Sequence, residues 1–267
     1  MPDLAAPPQA PRIIAIANQK GGVGKTTTAI NLAAAFAEMD RRVLVIDLDP
    51  QGNASTGLGA ANRHFTSYDL LIEGVALPEV IQATRHKGID LCPANTDLSS
   101  ADIAMAATEG RTTLLRNALR TEDIDDYDYI LIDCPPSLSL LTLNAMVAAH
   151  AILVPLQAEF FALEGLSQLM LTLRSIRDSA NPDLRIDGVL LTMFDRRNNL
   201  AQHVEADARE TLGDLVFRTV IPRNVRLSEA PSHAQPALAY DPLSKGSEAY
   251  RALARELTSR YTVSVPA

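Results

Sequence analysis

The stretch Asn18 to Ala33, NQKGGVGKTTTAINLA, holds the residue types and spacing best suited to chemistry. Its G-x-x-x-x-G-K-T pattern is that of a phosphate-binding loop. Gly21, Gly22 and Gly24 let the chain turn tightly, so that backbone N–H groups through Val23 point inward at phosphate oxygens. The helix that follows offers the positive end of its dipole to the same anion. Lys25 is placed to reach the outer phosphates of a nucleotide. The hydroxyl of Thr26 is placed to ligate Mg²⁺, with Thr27 beside it in the same first turn. A second lysine, Lys20, stands five residues ahead of Lys25. One lysine is enough to hold phosphates, and an isolated loop lysine is ordinarily just solvated.

Three carboxylates extend the site. Asp133, in IDCPPS, ends an apolar run, and a carboxylate at the carboxyl end of a parallel strand lies beside the crevice where ligands bind. In phosphate-loop enzymes that group holds Mg²⁺, usually through water. Asp47 and Asp49, in IDLDPQGN, alternate with Leu48 and share one side if the strand runs that far. One can order the water shell of the metal; Asp49 is the better candidate to orient an attacking water. A pair of strand-end turn acids is the alternative, which Asp-Pro-Gln-Gly also favours.

These groups need elements to position them. RIIAIAN (12–18) reads as a buried strand, and residues 25–39 as a helix apolar almost all round, packed on a sheet. Further strands are expected at 42–49, 89–94, 127–136, 151–156, 186–194 and 215–222. Helices are expected at 112–119, 140–149, 163–176 and 247–261. This alternation implies βαβ units, hence an α/β fold: a mostly parallel, twisted sheet with helices on both faces, three layers in all. Residues 53–88, rich in Gly and small polar types, read as loops and short helices over the nucleotide site. A proline- and alanine-rich tail is expected at 1–11, with a single domain from 12 to 267.

Composition narrows the class. The chain has 267 residues, 47% hydrophobic and 21% charged, an ordinary globular balance. No apolar run is long enough for a membrane helix, and the N-terminus lacks a signal-peptide core. Cys92 and Cys134, both in strand-like settings, read as buried thiols of a reducing, cytoplasmic compartment. With 24 basic and 32 acidic residues the net charge is −8, which excludes a chain that is basic throughout.

KGGVGKTTT, DLDPQGN, LIDCPPS and IPRNVRLSEAPSHAQPALAYDPLSKGSEAY together resemble the ParA/Soj family of deviant-Walker partitioning ATPases. The similarity runs from about residue 12 to about 260. The loop alone is shared with MinD and the nitrogenase iron protein; IPRNVRLSEAPS with DLDPQGN is more specific. The resemblance implies ATP and Mg²⁺ as ligands and a phosphate-loop NTPase fold. It also implies a homodimer closed face to face around two ATP molecules. Lys20 would then reach the phosphates held by the partner, as an arginine finger does. Pro222 and Asn224, in IPRN, would pass near the adenine, largely through backbone. Arg197 and Arg226, with Arg196 and Arg223 beside them, would contact double-stranded DNA without sequence preference. A ParB-like centromere-binding partner would speed a slow hydrolysis on the nucleoid. With the loop so near the start, the chain matches the short form that lacks an extra N-terminal DNA-binding domain.

The residues temper the DNA reading. Between 185 and 226, seven arginines meet six acids, so a basic patch needs the fold to segregate the signs. Two rivals share the loop. A MinD-like membrane-cycling or cargo-positioning ATPase would need a basic amphipathic C-terminal helix. The closing segment, RALARELTSRYTVSVPA, instead spaces Ala, Leu and Tyr as a packed helix does. A redox protein would need four thiolates from two subunits for a [4Fe–4S] cluster. Cys92 and Cys134 sit at proline-flanked strand ends, where buried thiols are expected. His64, His86, His150, His203 and His233 show no metal-ligand spacing; His150 reads as structural.

Overall fold

Alternate residues of the central strands face two separate cores, and this sets the three layers. In the computed structural model, which describes residues 10–159 and 162–263, the strands are β1 (Arg12–Ile16), β2 (Val43–Asp47), β3 (Gln82–Ala83), β4 (Ile89–Cys92), β5 (Tyr129–Asp133), β6 (Ala151–Gln157) and β7 (Arg185–Thr192). They form one sheet in the order β3-β4-β2-β5-β1-β6-β7. Every neighbouring pair is parallel except β3–β4. Ile14, Ile16, Val43, Val45 and Leu131 point into one core, with the helices Lys25–Ala37 and Lys245–Val263. Ile13, Leu44, Ile46, Ile130 and Ile132 point into the other, with Leu140–Ala148 and Ala162–Ser179. Being covered on both faces, the strands read as continuous apolar runs.

The helix Lys25–Ala37 is buried along most of its length. Phe36 stacks on Tyr129 of β5 with ring centroids 3.9 Å apart. The Thr28 hydroxyl meets the Tyr250 hydroxyl of the closing helix at 3.2 Å. The Phe36 contact fixes the far end of this helix on the sheet, and the Thr28 contact fixes its first turn, where the glycine loop joins it.

One expectation is overturned, one lies largely outside the described residues, and one holds in part. The first nine residues of the expected tail lie outside the described residues, and Arg12 already begins β1. The stretch 215–222 is not a strand: it touches β7 through isolated bridges at Val216 and Pro222. The N–H groups of Arg218 and Thr219 instead donate to the Glu256 carboxylate, each at 2.8 Å, which interrupts the ladder. In 53–88 the short helices Asn53–Gly57 and Leu77–Val80 and a π-turn at Asp69–Glu73 occur as the composition suggested. The antiparallel edge strand β3 was not legible, because two residues carry no alternation to read.

His150 has a structural task just before β6. Its Nδ1 accepts the Ile13 N–H at 3.0 Å, so that nitrogen must be unprotonated. Burial, with Arg12 nearby, lowers its pKa from the ordinary value. A lowered histidine stabilises the fold above its unfolded pKa, about 6.5, and the contribution fades as pH falls toward the folded value. Replacement His150→Leu should cost about 1–2 kcal/mol at pH 7.5, because a buried donor loses its acceptor. The gap to the parent should narrow as pH drops below about 6. Urea denaturation of both proteins across pH 5–7.5 checks this; a constant gap would contradict it.

Candidate functional site

β1 delivers the chain to the carboxyl edge of the sheet, and Asn18 anchors the turn there. Its Nδ2 donates to the Pro155 carbonyl of β6 at 2.7 Å, and its Oδ1 accepts the Lys20 N–H at 3.0 Å. From β7, the Thr192 hydroxyl donates to the Val23 carbonyl at 2.8 Å. Gly22 and Gly24 adopt φ of 73° and 88°, a region that favours glycine. Gly24 then N-caps the helix Lys25–Ala37 with no side-chain cap and no acid in the first turn. The helix therefore presents its free N–H groups and positive dipole end to an incoming anion.

The two lysines have different surroundings. Lys25 is 6% exposed, and its Nζ donates back to the Lys20 carbonyl at 3.0 Å. Burial lowers its pKa, and Asp133, Cys134 and Asp49 pull the other way. Lys20 points outward, and its Nζ lies 2.6 Å from Glu159 Oε2, each side chain nearly half exposed. An ion pair so open to water contributes at most about 1 kcal/mol, so Lys20 is lightly held. Glu159 escaped the sequence reading because no motif links it to the loop.

The three acids divide their work. The strand ends at Asp47, whose register partner across β2–β5 is Asp133. Asp47 Oδ2 accepts the Ser55 N–H at 2.8 Å and the Ser55 hydroxyl at 2.7 Å. Asp47 is thus occupied inside the protein and is not available to a metal's water shell. Burial, against the Ser55 hydrogen bonds, raises its pKa to about 6. Asp49 lies beyond the strand end, in a turn: its Oδ1 accepts the Gln51 N–H at 3.0 Å and its carbonyl accepts the Gly52 N–H at 2.8 Å. It is 7% exposed.

Asp133 is fully buried, and among the described residues neither of its oxygens has a hydrogen-bond partner of good geometry. Burial pushes its pKa well above the usual carboxylate range and Asp47 adds to this; the nearby Thr26 hydroxyl and Lys25 offset only part. A buried carboxylate left so poorly satisfied is costly unless a cation or donor completes it. Mg²⁺ fits, since it keeps most of its waters and needs only one or two protein oxygens beside substrate phosphates. Thr26 and Asp133 are the residues that would hold it, with Asp49 close by; no larger cage of His, Cys, Asp and Glu occurs among the described residues.

Pro222 and Asn224 run along the same edge. Pro222 bridges Phe194, just past the β7 end that holds the loop, and Asn224 caps the helix Val225–Glu229 by accepting the Arg226 N–H at 2.8 Å. The arginines beyond are exposed but paired. Arg197 lies 3.0 Å from Asp195, and Arg226 lies 2.8 Å from Glu229 and 3.2 Å from Asp241. The Arg223 N–H donates to the Phe194 carbonyl at 3.1 Å, so Arg223 and the 195–197 turn are neighbours. Acids stand among these cations, so the fold does not segregate the signs into a purely basic face. Both cysteines are buried, and burial pushes the Cys92 thiol up to about 12 and the Cys134 thiol upward as well.

A mostly parallel sheet, a glycine loop opening a helix, and carboxylates at the ends of the adjoining strands β2 and β5 define the class: a phosphate-loop nucleotide-binding protein of the α/β type. A family model described as an AAA domain matches residues 11–186. The chain is 55% identical over 252 residues to the chromosome partitioning protein ParA of Caulobacter vibrioides, covering 93% of this chain and 94% of that protein. It is 51% identical over 249 residues to the chromosome-partitioning ATPase Soj of Thermus thermophilus, covering 93% and 96%. Among solved structures, it resembles the cobyrinic acid a,c-diamide synthase of Mycobacterium smegmatis with bound ATP analogue and magnesium. The TM-score is 0.81 at 37% identity, over 94% of this chain and 96% of that one. The chain belongs to the ParA/Soj family of chromosome-partitioning ATPases.

The state of Asp133 has a measurable consequence. Its raised pKa means that the charged form opposes folding as pH rises past the ordinary carboxylate value, about 3.9. Without nucleotide at pH 7.5, Asp133→Asn should melt about 2–4 °C higher than the parent, the shift that roughly 1 kcal/mol produces in a chain of this size. Differential scanning calorimetry checks it. An unchanged or lower melting temperature would mean that Asp133 is already compensated.

Proposed function

We propose that this chain is a slow ATPase of chromosome or plasmid partitioning whose ATP-bound homodimer holds DNA and releases it after hydrolysis. The observation that carries the reading is the pair of differently placed lysines. Lys25 is buried over its own phosphate loop, while Lys20 faces outward and its ammonium pairs, among the described residues, with half-exposed Glu159. A lysine so placed is suited to phosphates on a second subunit, and its charge acts there only once two subunits have closed.

The roles follow from position. The free N–H groups of the glycine loop and the Lys25 ammonium bind the phosphates in cis. Thr26 and Asp133 hold Mg²⁺, which when bound offsets the phosphate charge. Asp49, on its turn, orients the attacking water and takes up its proton. Pro222 and Asn224 flank the adenine. Arg197, Arg223 and Arg226 contact DNA phosphates, Arg197 and Arg226 exchanging their present carboxylate partners for them; such contacts are independent of sequence and weaken steeply with salt. A ParB-like centromere-binding partner accelerates turnover, in the cytoplasm and on the nucleoid. Among the described residues no helix is long and apolar enough to cross a membrane.

Fluorescence anisotropy of a random-sequence duplex tests the cycle. Titration with Mg²⁺-ATP should give binding that is lost as salt rises, with little binding in ADP or without nucleotide. Absence of binding in every state would remove DNA as the track. Independently, Lys20→Ala should remain a monomer in Mg²⁺-ATP by sedimentation velocity while still binding nucleotide. A normal ATP dimer in that variant would exclude action in trans.

A further inference from the structure

The Asp49 turn is held by a clamp whose key member, Arg63, lies outside every motif of the site, and we infer that Arg63 is a positioning residue for Asp49. The inference rests on the reading of Asp49 as the group that orients water. Arg63 comes from the 53–88 segment, the part of the chain with the weakest pattern. Its Nη1 donates to the Ala94 carbonyl just after β4 at 3.1 Å, and its Nη2 donates to the Thr56 hydroxyl at 2.9 Å. Thr56 in turn donates its hydroxyl to the Gly52 carbonyl at 3.0 Å, and its N–H reaches the same oxygen at 2.9 Å. Gly52 closes the turn by donating its N–H to the Asp49 carbonyl at 2.8 Å. A continuous path of hydrogen bonds therefore runs from the Ala94 peptide through Arg63, Thr56 and Gly52 to Asp49.

Two further observations make the path tight. Gly52 has φ of 60°, and a Cβ there would stand 2.7 Å from Arg63 Nη1 and 3.1 Å from the Ala94 carbonyl oxygen, so the guanidinium lies directly against the turn. The Ala94 peptide is also gripped from its other side: its N–H donates to the Ser55 hydroxyl at 2.8 Å, and Ser55 is the partner of Asp47. β4 is thus tied to the Asp49 turn by two routes. One is anchored on Asp47 inside the sheet; the other is Arg63, half-buried at its margin. The planar guanidinium matters because it donates from two separate nitrogens held in a fixed plane, which the single nitrogen of a lysine does not reproduce.

The test uses the full chain with Arg63→Ala, Arg63→Lys, Asp49→Ala and the Asp49→Ala/Arg63→Ala pair. Without nucleotide, Arg63→Ala should speed amide exchange of Gln51 and Gly52 by about tenfold while strand β5 keeps its protection. In steady-state ATP turnover, kcat should fall about tenfold with KM for ATP little changed, as expected when a catalytic group is misplaced. Arg63→Lys should restore only part of the loss. In the Asp49→Ala background, Arg63→Ala should add nothing, because both act through one group. Thr56→Val should lower kcat as Arg63→Ala does, and Thr56→Ser should not, which guards against a general folding defect. If Asp49→Ala leaves turnover unchanged, the water-orienting reading falls. If Asp49→Ala lowers turnover to a measurable residue but Arg63→Ala leaves exchange and kcat unchanged, or lowers kcat further in the double variant, the positioning role of Arg63 falls.

Discussion

Everything at the site depends on two carboxylates brought side by side in a dry place. The parallel register of β2 and β5 sets Asp47 against Asp133 at the carboxyl edge of the sheet, both fully buried. Two buried like charges oppose each other, and the protein resolves the conflict asymmetrically. Asp47 receives both donors of Ser55 and becomes part of the framework. Among the described residues Asp133 receives no comparable bond, and a hydrated cation would supply what it lacks. A site that is complete only with its ligand trades stability for binding, since the group that destabilises the empty protein is stabilised by the filled one.

The remaining machinery is arranged around that edge by elements with little freedom to move. The phosphate loop is pinned at both flanks, by Asn18 on β6 and by Thr192 on β7. The helix it opens is locked between the sheet and the closing helix through Phe36 and Thr28. Against this rigid background the weakly held groups stand out. Lys20 is held, among the described residues, by an exposed ion pair, and the arginines at 197 and 226 hold surface acids. In the proposed cycle these are the groups that exchange partners, and exposed pairs do so at small cost because water already screens them. In that cycle rigid parts bind in cis and lightly tethered parts answer to a second molecule.

Much of the chain was legible in the sequence because the signals were local. Buried parallel strands demand continuous apolar runs, so β1, β2, β5, β6 and β7 could be read directly. The loop could be read because glycines, lysine and threonine must stand at fixed intervals to wrap a phosphate. The errors arose where tertiary partners overrode local preference. Residues 215–222 look like a strand, yet Glu256, from the distant closing helix, captures two of their N–H groups. Asp47 and Asp49 look equivalent, but the strand stops between them and Ser55 claims the first.

By itself, then, the sequence determined the class of fold, the phosphate loop, and the family, since all three rest on residues close together in the chain or on extended motifs. Only the tertiary structure decided the division of labour. Which acid is structural and which is left for a cation depends on strand register. Where Lys20 points depends on Glu159, 139 positions away. Whether the arginines stand among acids or apart from them depends on which surfaces fold together. What steadies Asp49 depends on Arg63 reaching across to the end of β4. These are contacts between residues far apart in the chain, and side-chain partnerships of that kind leave no periodicity or spacing to be read.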